Sequence, residues 1–432
     1  MLSGATGHDD LVVRGARVLD PVEGVDAVLD VRVDGGTIAA IGSELDANGH
    51  RVVDAQGLVL APAFVDPHVH LRTPGREDEE TIATGTAAAA AGGYCAILAM
   101  PNTDPVVDEA EMLRALRARA DAEARVPVGF LAAISKGQAG AELTEMGALA
   151  DAGAAGFTDD GRPVASAGLM RRALQYVAVT GRPLAVHCEE PTLTRGAHAH
   201  AGRVAAELGL GGWPSLGESL MVARDLELAA ETERPVHLMH LSARESVDHL
   251  RRAHERGVAA SGEVTPHHLC LTEDAVRALD PNVKMNPPLR TDDDRAALVQ
   301  ALRDGTIAAV ATDHAPHAPE EKDVPFEAAP FGVIGLETAF SALYTHLVLP
   351  GVLRLETLLE RLSAGPAAIF GLERPRIAVG ATANLTLLDL EGRWRVKTSG
   401  FRSRSANSWL LGKRLHGRVR LTIAAGRVVH EA

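Results

Sequence analysis

Six short apolar runs in the middle of this chain each lead into a polar residue able to hold a metal ion or a proton. AFVDP leads into His68 and His70, YCAILA into Met100-Pro101-Asn102, and AAGF into Asp159-Asp160. RPLAV leads into His187, VHLM into His240, and IAAVAT into Asp313. Between these runs lie stretches rich in Ala, Leu, Arg and Glu. In EAEMLRALRARADAEA, Met112, Leu113 and Leu116 fall at helical spacing with Arg and Glu between them. Repeated strand–helix units predict a parallel sheet with crossover helices. An open doubly wound sheet has a single switch-point crevice and would not gather six strand ends. A closed (β/α)8 barrel brings all its C-terminal strand ends to one mouth. The α/β barrel is therefore the expected fold, over residues 63–370.

The flanks follow another pattern. Residues 11–62 are short Val/Ile-rich runs cut by Gly and Asp, with a hairpin turn expected at Asp34-Gly35-Gly36. A second β block spans 383–390 and 417–431. Two β segments at opposite ends of a chain can share one small domain, here residues 1–62 with 371–432.

Charge and cysteine content narrow the function. Lys and Arg number 43 against 57 Asp and Glu, a balance of −14. That argues against nucleic acid or an anionic membrane as partner. Cys95, Cys188 and Cys270 make no disulfide framework and fit a reducing, cytoplasmic setting. MLSGATGHDD lacks the basic and apolar regions of a signal peptide. The small-residue run Thr81 to Met100 is broken by Thr86, Gly92 and Gly93, and reads as a packed helix followed by a strand, not a membrane span. No phosphate-binding glycine loop is present.

Taken singly, each chemical residue has a structural reading. His187 and His240 could be core histidines, Asp313 a helix cap, and the Asp159-Asp160-Gly161 step a solvated turn. Taken together they make a nitrogen-and-oxygen donor set suited to zinc or a similar divalent ion. His68 and His70 alternate onto one strand face and can share an ion. Asp159 or Asp160 can supply a bridging carboxylate, and Asp313 can carry a proton to a leaving nitrogen. Arg72, Asn102 and His317 lie one short loop beyond their strands and can form an anion site. Cys188 is read as core, His198 and His200 as solvated, and His267-His268 as structural.

The motifs DPHVHLRTPG, MPNTDP, FTDDG, HCE, TPHHL, KMNPPLR, ATDHAPH and FEAAPFGVIGLET resemble those of the class I dihydroorotases of the amidohydrolase superfamily. The resemblance runs over essentially the whole chain. It implies a distorted (β/α)8 TIM-like barrel with a small β-sandwich domain built from both chain ends. It implies two Zn2+ per chain, one held by His68, His70 and Asp313 and the other by His187 and His240. The bridge falls to Asp160 by its spacing to HCE. Arg72, Asn102 and His317 match positions that hold the substrate carboxylate, with Asn286 and the backbone of Phe331 and Gly332 lining the ring. Thr73 stands where the family often has an acidic residue or Gln. The implied reaction is the reversible cyclisation of N-carbamoyl-L-aspartate to L-dihydroorotate in pyrimidine synthesis, with Asp313 the proton carrier. The alternatives are an allantoinase or hydantoinase, which the absence of Lys near Asp160 disfavours, and a non-catalytic subunit of aspartate transcarbamoylase. A homo-oligomer is expected, and some relatives assemble with aspartate transcarbamoylase.

Overall fold

A computed structural model describes residues 1–4, 6–47 and 49–432 of the chain. Four parallel strands, Phe64–Val69, Tyr94–Ala99, Val128–Ala132 and Gly156–Phe157, pair in sequence order. Four more, Ala185–Val186, Val236–Leu238, Ala260–Val264 and Ala309–Val310, do the same. Single parallel bridges, Phe157 to Leu184 and Val69 to His314, join the two sheets at both seams. The result is a closed eight-stranded barrel, distorted because several strands are only two residues long and each seam rests on one bridge. Phe64–Val69 and Tyr94–Ala99 are buried throughout, as expected where helices cover the outer face.

Local sequence explains the covering helices. Thr81 caps Ile82–Ala91, its hydroxyl accepting from Thr84 N while Thr84 Oγ1 accepts from Thr81 N. Ala110–Glu123 buries Leu113, Leu116 and Ala120 at intervals of three and four, while Met112 is only partly buried. Truncating the fully buried Leu113 to Ala would cost about 2–5 kcal/mol.

The two chain ends meet in one eight-stranded sheet. Its order is Arg427–Glu431, Arg414–Ala424, Leu385–Arg395, Val59–Pro62, Leu11–Asp20, Val25–Asp34 and Thr37–Gly42. Arg51–Asp54 branches off by pairing with Leu11–Asp20. The join between ends is the antiparallel pairing of Leu385–Leu388 with Val59–Pro62. The expected turn sits at Gly35-Gly36, between paired Asp34 and Thr37. Leu11, Val13, Val31, Ile38, Leu60, Leu385 and Ile423 form an apolar core separate from that of the barrel. Among the described residues, no helix is long and apolar enough to cross a membrane.

Candidate active site

The strand ends converge as the barrel geometry requires. Asp160 stands at the centre. Its Oδ1 lies 3.6 Å from His68 Nε2, 3.7 Å from His187 Nδ1 and 3.5 Å from His240 Nε2. Its Oδ2 lies 3.5 Å from His70 Nε2. Asp313 Oδ1 lies 3.1 Å from His70 Nε2 and 3.4 Å from His68 Nε2. His187 Nδ1 and His240 Nε2 are 3.0 Å apart. All six side chains are buried. Asp159, the other aspartate of the pair, turns away. Its Oδ1 accepts from the backbone N–H groups of Ile134 and Ser135 at 2.8 and 3.1 Å, and its Oδ2 from the Ser135 hydroxyl.

Electrostatics hold the two central carboxylates ionised. Burial would raise Asp160, but the charge of His68 and contacts from His240, His68 and His70 hold it well below the usual carboxylate range. Asp313 is lowered in the same way, with His68, His70 and His240 outweighing burial. Burial pulls His70 down, although Asp313 opposes this. His68 is raised because Asp160 and Asp313 overcome its burial.

A cavity of about 210 Å³ opens above these groups. It is lined by Arg72, Asn102, Asn286, His317, Phe331 and Gly332 together with five of the six central residues. Asn102 also braces two of those residues. Its Oδ1 lies 2.9 Å from His70 Nδ1, and its Nδ2 donates to Asp160 Oδ2 at 3.1 Å. Arg72 Nε lies 2.8 Å from Glu79 Oε2 and donates to Pro316 O at 3.1 Å. His317 Nε2 donates to Phe331 O at 2.7 Å. Gly332 has a φ of +104° and a Cβ there would meet Ala315 Cβ at 2.6 Å, so this wall requires glycine. Its N–H is taken up by Lys284 O at 2.8 Å. Asn286 Oδ1 is buried with no hydrogen-bond partner among the described residues.

Reading the sequence alone misses other residues. Glu263, on Ala260–Val264, accepts from His68 Nδ1 at 2.9 Å and from His237 Nε2 at 3.0 Å. Burial would raise its carboxyl, but hydrogen bonds from His237 and His68 hold it at about 2. An acid within an apolar strand run was the available signal. Glu79 and Glu80, in what reads as an acidic turn, are 2% and 0% exposed. Glu80 Oε2 accepts from His314 Nε2 at 3.1 Å, beside Asp313, and Arg404 N donates to Glu80 Oε1 at 3.1 Å. His200 is buried rather than solvated: it pairs within a two-strand sheet and its Nδ1 accepts from Arg290 at 3.2 Å. The loop RGAHAHAGR looked polar because the arginine that meets it lies ninety residues further along. His268 fits its structural reading, with Nε2 donating to Pro287 O at 2.9 Å. Cys188 is buried, with Sγ 3.9 Å from Asp225 Oδ2.

A barrel with histidine and aspartate donors gathered at its mouth defines an amidohydrolase. Residues 57–246 match the family model described as dihydro-orotase-like. The chain is 46% identical over 426 residues to a dihydroorotase of Anaeromyxobacter dehalogenans, covering 98% of both chains. It is 44% identical to that of Pelotomaculum thermopropionicum, covering 97% of this chain and 98% of the relative. Among solved structures, L-hydantoinase (dihydropyrimidinase) from Arthrobacter aurescens superposes with a TM-score of 0.88 at 27% identity, over 98% of this chain and 96% of that one. The chain belongs to the dihydroorotase family.

Proposed function

We propose that the chain interconverts N-carbamoyl-L-aspartate and L-dihydroorotate with two divalent metal ions, zinc by preference. His68, His70 and Asp313 would hold one ion, His187 and His240 the other, and Asp160 would lie between them. The donors fit such ions: all are nitrogen or oxygen, and His68 Nε2 is buried and faces two carboxylates without a hydrogen bond. When bound, the ions supply a Lewis acid for the ring carbonyl and lower the pKa of water.

The side chains supply the rest. Asp313, ionised at neutral pH, takes a proton from the attacking water and delivers it to the departing amide nitrogen. In ring closure it takes the proton from the carbamoyl nitrogen. The new bond joins that nitrogen to the side-chain carboxyl carbon, and one carboxylate oxygen leaves as water with that proton and a second taken from solvent. Arg72, Asn102 and His317 hold the substrate's other carboxylate, and Asn286 with the Phe331–Gly332 backbone borders the ring.

The observation that carries this reading is Asp160, within 3.7 Å of four histidines where no lysine is available. Hydantoinase is less well supported, because the full-length dihydroorotase relatives are far more similar than the hydantoinase neighbour. The test is consumption of dihydroorotate, hydantoin and allantoin by the metal-loaded protein. Turnover of dihydroorotate alone is expected, and turnover of hydantoin alone would overturn the assignment. Self-association and docking on aspartate transcarbamoylase are expectations from the resemblance; light scattering of the chain, alone and mixed with that enzyme, measures both.

A further inference from the structure

A second and larger cavity, of about 540 Å³, lies where the barrel meets the terminal sheet. Its size is that of a ligand site, typically about 300–1,000 Å³. Ala91, Gly92, Phe340 and Ser341 form its barrel side, and Trp394, Val419 and His430 its sheet side. Four cations line it: Arg395, Lys397, Arg402 and Arg418. None of the four makes an ion pair or a side-chain hydrogen bond among the described residues. All four residues are exposed, so their charge is free to meet a ligand that enters from solvent.

Two acids also line the cavity and offset only part of that charge. Glu431 is paired outward with Arg51. The Glu337 carboxylate accepts from Arg402 N at 2.9 and 3.0 Å and from Ser403 N at 3.1 Å. Burial raises Glu337 to about 7, so a substantial fraction of it is protonated at neutral pH. His430 senses the same field: burial, then Arg402, Arg418 and Arg125, push its imidazole down to about 4. Four like charges left unpaired in one concavity of a chain with a net charge of −14 create a local positive potential. Trp394 and Phe401 add flat apolar walls beside the charges.

We propose that this cavity is a second ligand site, distinct from the barrel mouth, for a small organic anion that carries two or more phosphate charges and a flat ring. Arg402 and Arg418 bind the phosphates, and Trp394 contacts the ring.

The probe is ADP, titrated into the metal-loaded full chain by calorimetry, with Trp394 fluorescence as the second readout. Saturable binding is expected. It should weaken as salt is raised and fall at least tenfold in the Arg402→Ala/Arg418→Ala double variant. Adenosine, which lacks the phosphates, should not bind measurably. Trp394→Phe should abolish the fluorescence change while ADP heat remains. Absence of ADP binding overturns the proposal. So does binding that is unchanged in the double variant, which would place ADP at the barrel mouth. Dihydroorotate turnover is a separate measurement, so failure here leaves the assigned reaction standing, and failure of that reaction leaves this site standing.

Discussion

Glu263 Oε1 accepts a hydrogen bond from His68 Nδ1 at 2.9 Å, and this contact aims the bare Nε2 of His68 into the barrel mouth. A carboxylate on Nδ1 fixes the tautomer and makes Nε2 a better donor to a metal. The same carboxylate accepts from His237 Nε2 at 3.0 Å, so one acid orients two buried rings. Glu263→Gln should therefore lower metal affinity by about 10- to 100-fold. Metal content after dialysis against graded chelator reads this directly. Retention equal to that of the unaltered protein would remove Glu263 from the role.

Asp313 should be separable from folding. Asp313→Asn keeps the shape of a side chain that touches the cavity but removes its capacity to take a proton. Loss of a positioned acid–base group costs about 10²- to 10⁴-fold in kcat. The protein should still fold cooperatively, with a lowered thermal transition, because the charge removed is one that His68, His70 and His240 stabilise. Near-normal kcat in metal-loaded D313N would contradict the proton-carrying assignment.

Arg72 serves both cavity and scaffold. Its Nε lies 2.8 Å from the buried Glu79, which Arg76 also approaches to 3.0 Å. Arg72→Gln should raise KM more than it lowers kcat, because the forked cation that meets a carboxylate is gone. It should also destabilise the fold by about 1–3 kcal/mol, since Glu79 loses one of its charged partners. Steady-state kinetics and denaturant unfolding separate the two effects.

The reaction's stoichiometry sets its own pH dependence. Ring closure converts a carboxylate to a neutral amide carbonyl and consumes a proton. The equilibrium ratio of dihydroorotate to carbamoyl-aspartate should therefore fall about tenfold per pH unit above the carboxylate range. Chromatography of equilibrated mixtures at pH 6, 7 and 8 checks this, and a ratio independent of pH would rule the reaction out.

The sequence carried the barrel because its signal is local. Apolar runs, helical spacing and a chemical residue at each strand end all sit within single units. The six central side chains were legible for the same reason, and the choice of Asp160 over Asp159 agrees with the side chain that faces the histidines. What was not legible depends on long-range contact. Glu79, Glu80 and Glu263 sit in segments that look solvated or plainly structural, and become buried only through partners far along the chain. Glu263 reaches back 195 residues to His68, and Arg404 N reaches Glu80 across 324. His200 was misread on the same ground, since Arg290 lies 90 residues away. Periodicity has no access to such pairs.

Lys322 gives the fold a pH signature of its own. Its Nζ donates to Pro281 O at 3.1 Å and Pro330 O at 2.7 Å, tying down the segment that ends at Phe331. Burial, with Lys284 nearby, pushes its amine down to about 7. In the unfolded chain a lysine titrates near about 10.4. Between these two values the unfolded state holds a proton that the folded state has released. Unfolding free energy from this group therefore rises as pH increases from 7 towards 10, and below 7 the charging cost is fully present. Lys322→Met abolishes the titration and the two hydrogen bonds together. Its Tm should respond less steeply than that of the unaltered protein when pH is raised from 7 to 9.5, between the folded and unfolded titration points. Parallel Tm curves for the two proteins over that range would show that Lys322 keeps its proton in the fold.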